Sequence, residues 1–258
     1  MNIAEILAAR DPVDGGFRTT IPDNWLQGRT AYGGLSAALA YEAARVADED
    51  LPPLRSAQVS FVGPLSGPVT VTAKVERRGK NAAFVSARVT SELGLGLSCM
   101  FVFMRAMESH IEVVEQALDV TPPEEAADMD AIFESGQAPG FLINFETGPF
   151  DFAEQKADIV RWLRAKHRQT LDPMTELMLI GDGLPPAAMS LMQKAVPISS
   201  ITWIYNILTP TPQIGSGWFR LRASSDHIEH GTTSQDMSVW TEDGQLVARG
   251  MQSIALFG

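Results

Sequence analysis

The sequence predicts an α+β chain built from two similar halves, each a helix followed by an antiparallel meander. Three observations predict it. A short segment recurs: Ser91-Glu92-Leu93-Gly94 and the apolar strand after it return, 150 positions later, as Thr241-Glu242-Asp243-Gly244 with a second apolar strand. Each copy closes a series of patterns in which apolar residues alternate with polar ones, as in strands with one buried face. Each series is preceded by apolar residues at helical spacing. A length of 258 residues, 45% hydrophobic and 20% charged, leaves room for two such units and excludes a disordered or collagen-like chain.

In chain order, Gly33 and Gly34 punctuate the start of a helix whose apolar residues Leu35, Ala38, Leu39, Ala43 and Val46 fall on one stripe. Ala57, Val59 and Phe61 then alternate with Gln58 and Ser60, and Val69, Val71, Ala73 and Val75 alternate with Thr70, Thr72, Lys74 and Glu76. Strands follow at about 82–90 and 97–104, joined through Gly94. The stretch from Glu108 to Phe152 is rich in acidic residues and carries Pro122, Pro123, Pro139 and Pro149, which reads as a connector. The second half repeats the order: helical material at about 172–180, then strands near 200–208, 218–223, 232–240 and 246–256. Its last hairpin is marked by Asp243-Gly244. The expected units are thus 1–107 and 153–258, with 108–152 between them. A helix laid on one face of each sheet would bury both apolar sets together.

Charge and cysteine content narrow the function. Lys plus Arg is 20 and Asp plus Glu is 31, a net charge of −11. That balance opposes attraction to nucleic-acid phosphates or anionic lipid. No apolar run reaches the roughly 20 residues that cross a bilayer. The opening Met1-Asn2-Ile3-Ala4-Glu5 lacks the basic and apolar regions of a secretory signal, so a cytoplasmic location is expected. Cys99 is the single cysteine, which excludes an internal disulfide and a cysteine-rich zinc site.

Several segments resemble the acyl-CoA thioesterase II (TesB-like) family, whose members are fused pairs of hotdog domains. Tyr32-Gly33-Gly34 entering the first helix, the strand 56–61 and the strand pair around Glu92 are similar to the family's first hotdog. Ser200-Ile201-Thr202-Trp203 through Thr209-Pro210, and Val247-Ala248-Arg249-Gly250-Met251-Gln252, are similar to strands of its second. The resemblance implies a tandem hotdog, two antiparallel sheets each wrapped around a long helix. It implies hydrolysis of acyl-CoA by activated water, without metal, cofactor or covalent intermediate. In that family an Asp, a Thr or Ser, and a Gln of the second hotdog hold one water, and the matching positions here are Asp182, Ser200 and Gln252.

Each of these residue types suits such a task. Water attacking a thioester needs a base, and the oxyanion that forms needs hydrogen-bond donors. Asp182 follows the apolar run Leu177 to Ile180 and precedes Gly183, placing a carboxylate where a helix gives way to a turn; by itself it also reads as a turn Asp. Ser200 opens a strand, with Ser199 beside it as a one-residue alternative that faces the other side of the sheet. Gln252 shares the parity of Ala248, Gly250, Ile254 and Leu256, an amide on an otherwise small and apolar face. The 150-residue offset places Val102 at the equivalent point of the first half, which favours one site per chain. Tyr32, Gly33 and Gly34 would bring backbone N–H groups near the acyl carbonyl or pantetheine arm, although the glycine pair also reads as a simple tight turn. Leu35, Phe61 and Trp203 are expected to border the acyl groove.

His227-Ile228-Glu229-His230 offers a rival reading as the acid and base of a hydratase or dehydratase, although the segment also reads as a solvated loop. A non-catalytic acyl-CoA binder is the third reading. Cys99, in an apolar strand, reads as core. Arg77, Arg78 and Lys80 form a basic turn that would meet CoA phosphates or simply cap a hairpin. A homodimer or higher homo-oligomer is expected from the family resemblance.

Overall fold

The sequence repeat folds as two meanders that share one sheet. The computed structural model describes residues 1–134, 136, 138–149, 151–152, 156–194 and 196–257. The chain opens with helix α1 (Ile3–Ala8), strands β1 (Asp11–Val13) and β2 (Gly16–Ile21), and a small ribbon, β3 (Leu26–Gln27) with β4 (Thr30–Ala31). Helix α2 (Gly33–Ala44) follows, then β5 (Leu54–Phe61), β6 (Gly67–Arg78), β7 (Ala82–Ser91) and β8 (Gly94–Met104). Next come α3 (Asp130–Glu134), β9 (Phe145–Thr147), β10 (Asp151–Phe152), β11 (Asp158–Ala165) and helix α4 (Pro173–Ile180). The second meander is β12 (Ile198–Ile207), β13 (Phe219–Glu229), β14 (Thr232–Thr241) and β15 (Leu246–Leu256).

Among the described residues, thirteen strands form a single antiparallel sheet in the order β1-β2-β6-β7-β8-β5-β12-β15-β14-β13-β11-β10, with β9 also on β11. The expectation of two separate sheets is therefore corrected. The half-sheets join where β5 pairs with β12, from Ser56 opposite Asn206 to Ser60 opposite Thr202. Left apart, each strand would present an edge of unpaired N–H and C=O groups, and pairing them satisfies both. Ser56 Oγ donates to Asn206 Oδ1 at 3.1 Å across the same seam.

Helix α2 packs on β6, β7 and β8 and, on its other side, on α4. The single-stripe expectation fails for that reason: every residue from Gly34 to Ala44 is buried, while Val46, placed on the stripe, lies beyond the helix and is 65% exposed. The alanine-rich sequence of α2 lets its neighbours approach closely on both sides. Its one buried acid, Glu42, accepts hydrogen bonds from Arg10, from Arg45 and, at 2.5 Å, from Thr175 Oγ1 of α4. Burial pushes the Glu42 carboxyl up, but these donors and the Arg45 charge outweigh it and hold the carboxyl below its usual range. The second helix is short, not long. Asp172 caps it by accepting from the N–H groups of Met174 and Thr175, Pro173 opens it, and it ends at Gly181.

Strands β2 and β11 escape an apolar alternation pattern because their inward positions include polar residues, Thr19 and Arg161, both buried. In the stretch expected as connector, residues 105–117 are exposed and carry no regular structure. Its later part is core: Phe141, Leu142 and Phe145 are buried, and the Phe141 ring stacks on Tyr32 with centroids 4.2 Å apart. The expected boundary at 153 falls outside the described residues. None of the helices among the described residues is long and apolar enough to cross a membrane.

Candidate active site

The site forms where the start of α2 meets the end of α4. Tyr32 Oη donates to the Leu179 carbonyl at 2.6 Å, while Glu42 reaches Thr175 at the other end, so the two helices run in opposite directions. Two glycines make the contact close. A Cβ on Gly34 would lie 2.3 Å from the Leu179 carbonyl oxygen, and one on Gly33 would lie 2.5 Å from Asp182 Oδ2 and 2.7 Å from the Phe61 ring. Gly34 has no room for a side chain against that backbone oxygen, and a side chain at Gly33 would have to move the carboxylate or the ring.

Asp182 stands one residue beyond the end of α4 and against the first turn of α2. The Gly34 N–H donates to its carboxylate, and Gln252 Nε2 donates to Oδ1 at 2.5 Å. Burial raises its pKa from 3.8 to about 7, and the hydrogen bonds from Gln252 and Gly34 offset only part of that rise. The N-terminal end of α2 also favours negative charge here. Asp182 is thus a carboxyl that exchanges a proton near neutrality, as a general base for water must.

Gln252 lies on β15 directly opposite Trp203 of β12, with 2% of its surface exposed. Its Oε1 accepts from Gln235 Nε2 at 3.0 Å, and Gln235 Oε1 accepts from the Ala187 N–H at 2.9 Å. Gln235, wholly buried on β14, is the residue that sequence reasoning missed. A signal existed: counting eight residues outward from each side of the Asp243-Gly244 turn reaches Gln235 on one strand and Gln252 on the other, and the two are paired.

Ser200 stands opposite Ile254, which shares the inward face with Gln252, whereas Ser199 pairs with Ala255 and is exposed. The hydroxyl on the site's side of the sheet is therefore that of Ser200. A bulge between Ser200 and Thr202 shifts the register by one residue, which is what turns Ser200 rather than Ser199 to the face of Trp203. Ser200 lies two residues along β15 from Gln252, about 7 Å of strand rise. Asp182 and Gln252 meet directly. Among the described residues no hydrogen bond joins the Ser200 hydroxyl to either.

The other expected residues divide. Tyr32 is wholly buried, its hydroxyl used by Leu179 and its ring packed on Phe141, so its side chain belongs to the core. Gly33 and Gly34 line the site through backbone. Leu35 and Trp203, expected along the acyl groove, are sealed at 0% exposure, and Phe61 beside Gly33 is the half-buried member of that set. The equivalence of Val102 with Gln252 also needs correction. Both halves carry a bulge just after the hairpin turn, but the second turn holds three residues between Thr241 and Gln245 and the first two between Ser91 and Gly94, so the last strands are out of step by one residue. Inward positions run Leu97, Cys99, Phe101 and Phe103 on β8, so Phe101, not Val102, takes the place of Gln252. Among the described residues the polar site still occurs once.

Comparison with known proteins shows the family. Residues 21–107 match the model described as the acyl-CoA thioesterase N-terminal domain, and residues 117–256 match the acyl-CoA thioesterase C-terminal domain. The chain belongs to the acyl-CoA thioesterase family. It is accordingly a thioester hydrolase. Among solved structures, the fold is shared with a hot dog fold protein of unknown function from Alicyclobacillus acidocaldarius, at 22% identity and a TM-score of 0.83, covering 100% of this chain and 99% of that one. It is shared with the tesB protein of Mycobacterium avium subs paratuberculosis, at 16% identity and a TM-score of 0.79, covering 100% of both chains. The acyl-CoA thioesterase II TesB2 of Mycobacterium marinum follows at 16% identity and a TM-score of 0.74, covering 100% and 98%. No curated protein sequence matches.

For a thioesterase of this family, the remaining candidates fall outside the site. His227 and His230 are exposed on the β13–β14 hairpin, with His230 beside Glu229 at 3.6 Å. Cys99 is buried on the core face of β8, where burial pushes its thiol up and away from reactivity. Arg78, in the basic turn, donates to the Asp50 carbonyl and lies 3.5 Å from Asp48, tying β6 to the loop after α2.

Proposed function

We propose that this chain hydrolyses acyl-CoA with Asp182 as general base, Gln252 and Ser200 as holders of the attacking water, and the first-turn N–H groups of α2 as donors to the oxyanion. One observation carries the reading: a carboxylate poised near pH 7 touches both the Gln252 amide and the N-terminus of a helix. As the water oxygen bonds to the thioester carbon, its proton passes to Asp182 and the carbonyl electron pair moves onto oxygen. That charge meets first-turn backbone N–H groups of α2 that lack a helical partner, while the second Nε2 hydrogen of Gln252 stays with the oxygen of the water. Collapse breaks the C–S bond, the electron pair leaves on sulfur, and Asp182 returns the proton to the CoA thiolate. Ser200, one inward position along from Gln252, orients the water from the far side.

The same reading takes the chain as a tandem of two hotdog units, 1–107 and 153–258 with 108–152 between them, working as a homo-oligomer in the cytoplasm. The test is thiol release over short, medium, long and aromatic acyl-CoAs by the wild type and by Asp182→Asn. The variant is expected to lose on the order of 10²-fold or more in kcat/KM. In the wild type, kcat/KM should climb with pH through an acid limb near 7, because the base works only when ionised. Wild-type turnover by folded D182N would end this assignment.

A further inference from the structure

An amide side chain has two ends of nearly equal shape and opposite chemistry, and a carboxylate base gains only from the N–H end. Nothing within Gln252 itself selects that end. We propose that Gln235 is a positioning residue, which fixes the Gln252 amide so that its N–H group, and not its carbonyl, meets Asp182. The inference rests on Asp182 being the base.

The direction is set by a group that cannot reverse. The Ala187 N–H is backbone and can only donate, and it donates to Gln235 Oε1 at 2.9 Å. Gln235 is thereby left with Nε2 facing Gln252, whose Oε1 it takes at 3.0 Å. Gln252 is left in turn with Nε2 facing Asp182 at 2.5 Å. Turning either amide would set carbonyl against carbonyl, or N–H against N–H, inside a space where the two side chains are 0% and 2% exposed and bulk water cannot repair the mismatch. Ala187 opens the short helical turn 187–191, five residues beyond Asp182. One loop therefore supplies both the base and the donor that orients the base's partner. Two phenols, Tyr32 at the entry to α2 and Tyr205 on β12, are pushed upward by burial and so neutral around pH 7, and the buried Arg161 faces inward from β11, which packs on the helical turn 187–191. Strands β14 and β15 face Asp182 with uncharged amides.

The experiment compares wild type, Q235M, Q235E and D182N by thermal melting and by the pH dependence of kcat/KM for acyl-CoA hydrolysis. Met fills the space without hydrogen bonds. Glu keeps an acceptor for Ala187 and, when ionised, presents a second acceptor that draws the Gln252 N–H group away from Asp182. In folded Q235M the acid limb should move upward by roughly 0.5 to 1 pH, since a donor to the ionised base is no longer held in place. Activity at pH 7 should fall by about 10-fold, more in kcat than in KM, and Q235E should fall further. A limb left at the wild-type position in either folded variant, with only the melting temperature lowered, makes Gln235 a structural residue and overturns the inference while D182N still reports the base. Wild-type turnover by D182N overturns both. If neither Gln235 variant folds, the wild-type Gln252 side-chain NH2 resonance decides: it should shift with the Asp182 titration, and an invariant resonance refutes the arrangement.

Discussion

The burial that suits Asp182 to its proposed role costs stability. Its carboxyl sits at about 7 in the fold and at 3.8 when free, so the folded chain binds a proton more tightly than the unfolded one. Stability from this group is therefore greatest below pH 3.8, declines as pH rises through the interval, and is lowest above 7, a cost of up to about 4 kcal/mol. Asp182→Asn keeps the shape and removes the charge. It should melt higher than wild type at pH 8, by about 1 to 3 kcal/mol in unfolding free energy after one imperfect hydrogen bond is allowed for. The two should converge near pH 4, and equal melting at both pH values would show that the carboxylate is not strained. At this scale the sequence was informative about identity and silent about contact. Asp182 and Gln252 are legible through family resemblance, but parity counted back from Trp203, Tyr205 and Ile207 would send Ser199 inward, and only the bulge between Ser200 and Thr202 turns Ser200 to that face. The Gln235 amide was overlooked because alternation on β14 announces only a face, and it takes a count across the Asp243-Gly244 turn to set Gln235 opposite Gln252.

At the scale of elements, the site depends on how closely α2 and α4 approach. Asp182 Oδ2 lies where a Gly33 side chain would begin, so Gly33→Ala must displace either the carboxylate or the Phe61 ring. A shift of about 1 Å in a catalytic group costs on the order of 10²-fold. The expected result is a fall in kcat of at least 10-fold with the helix pair intact, checked by steady-state kinetics beside far-UV circular dichroism; unchanged kcat would mean that the ring alone gives way. The helix and both meanders were legible from periodicity, since Asp172, Pro173 and Gly181 bracket α4 and alternation marks β5–β8 and β12–β15. Complete burial of α2 was not, because a helix covered by a sheet on one side and a second helix on the other loses the polar face that periodicity seeks. Val102 was misplaced for a related reason: the second hairpin turn holds three residues between Thr241 and Gln245 where the first holds two between Ser91 and Gly94, so the last strands are out of step by one residue.

The whole molecule is two halves made one by the β5–β12 seam and the α2–α4 contact, neither of which uses the exposed stretch 105–117. The repeat at Gly94 and Gly244 made the halves visible in the sequence. The seam was not visible, because its partners lie far apart along the chain and an alternating strand carries no mark of which edge it will join. If the seam and the helix pair carry the union, the covalent link between the halves is dispensable once folding is complete. A specific protease site inserted between Ser109 and Glu112, with Glu115 left to its ion pair with Arg249 and Leu118 to its hydrogen bond with Gly244, tests this. After cleavage, denaturing gels should show two fragments, while size exclusion returns the uncut elution volume and thiol release stays within about twofold, because Gly33 and Asp182 lie on different fragments and remain pressed together by buried contacts. Separation of the fragments with loss of activity would show instead that the tether holds the site, and that the seam closes only when the halves are kept at high local concentration.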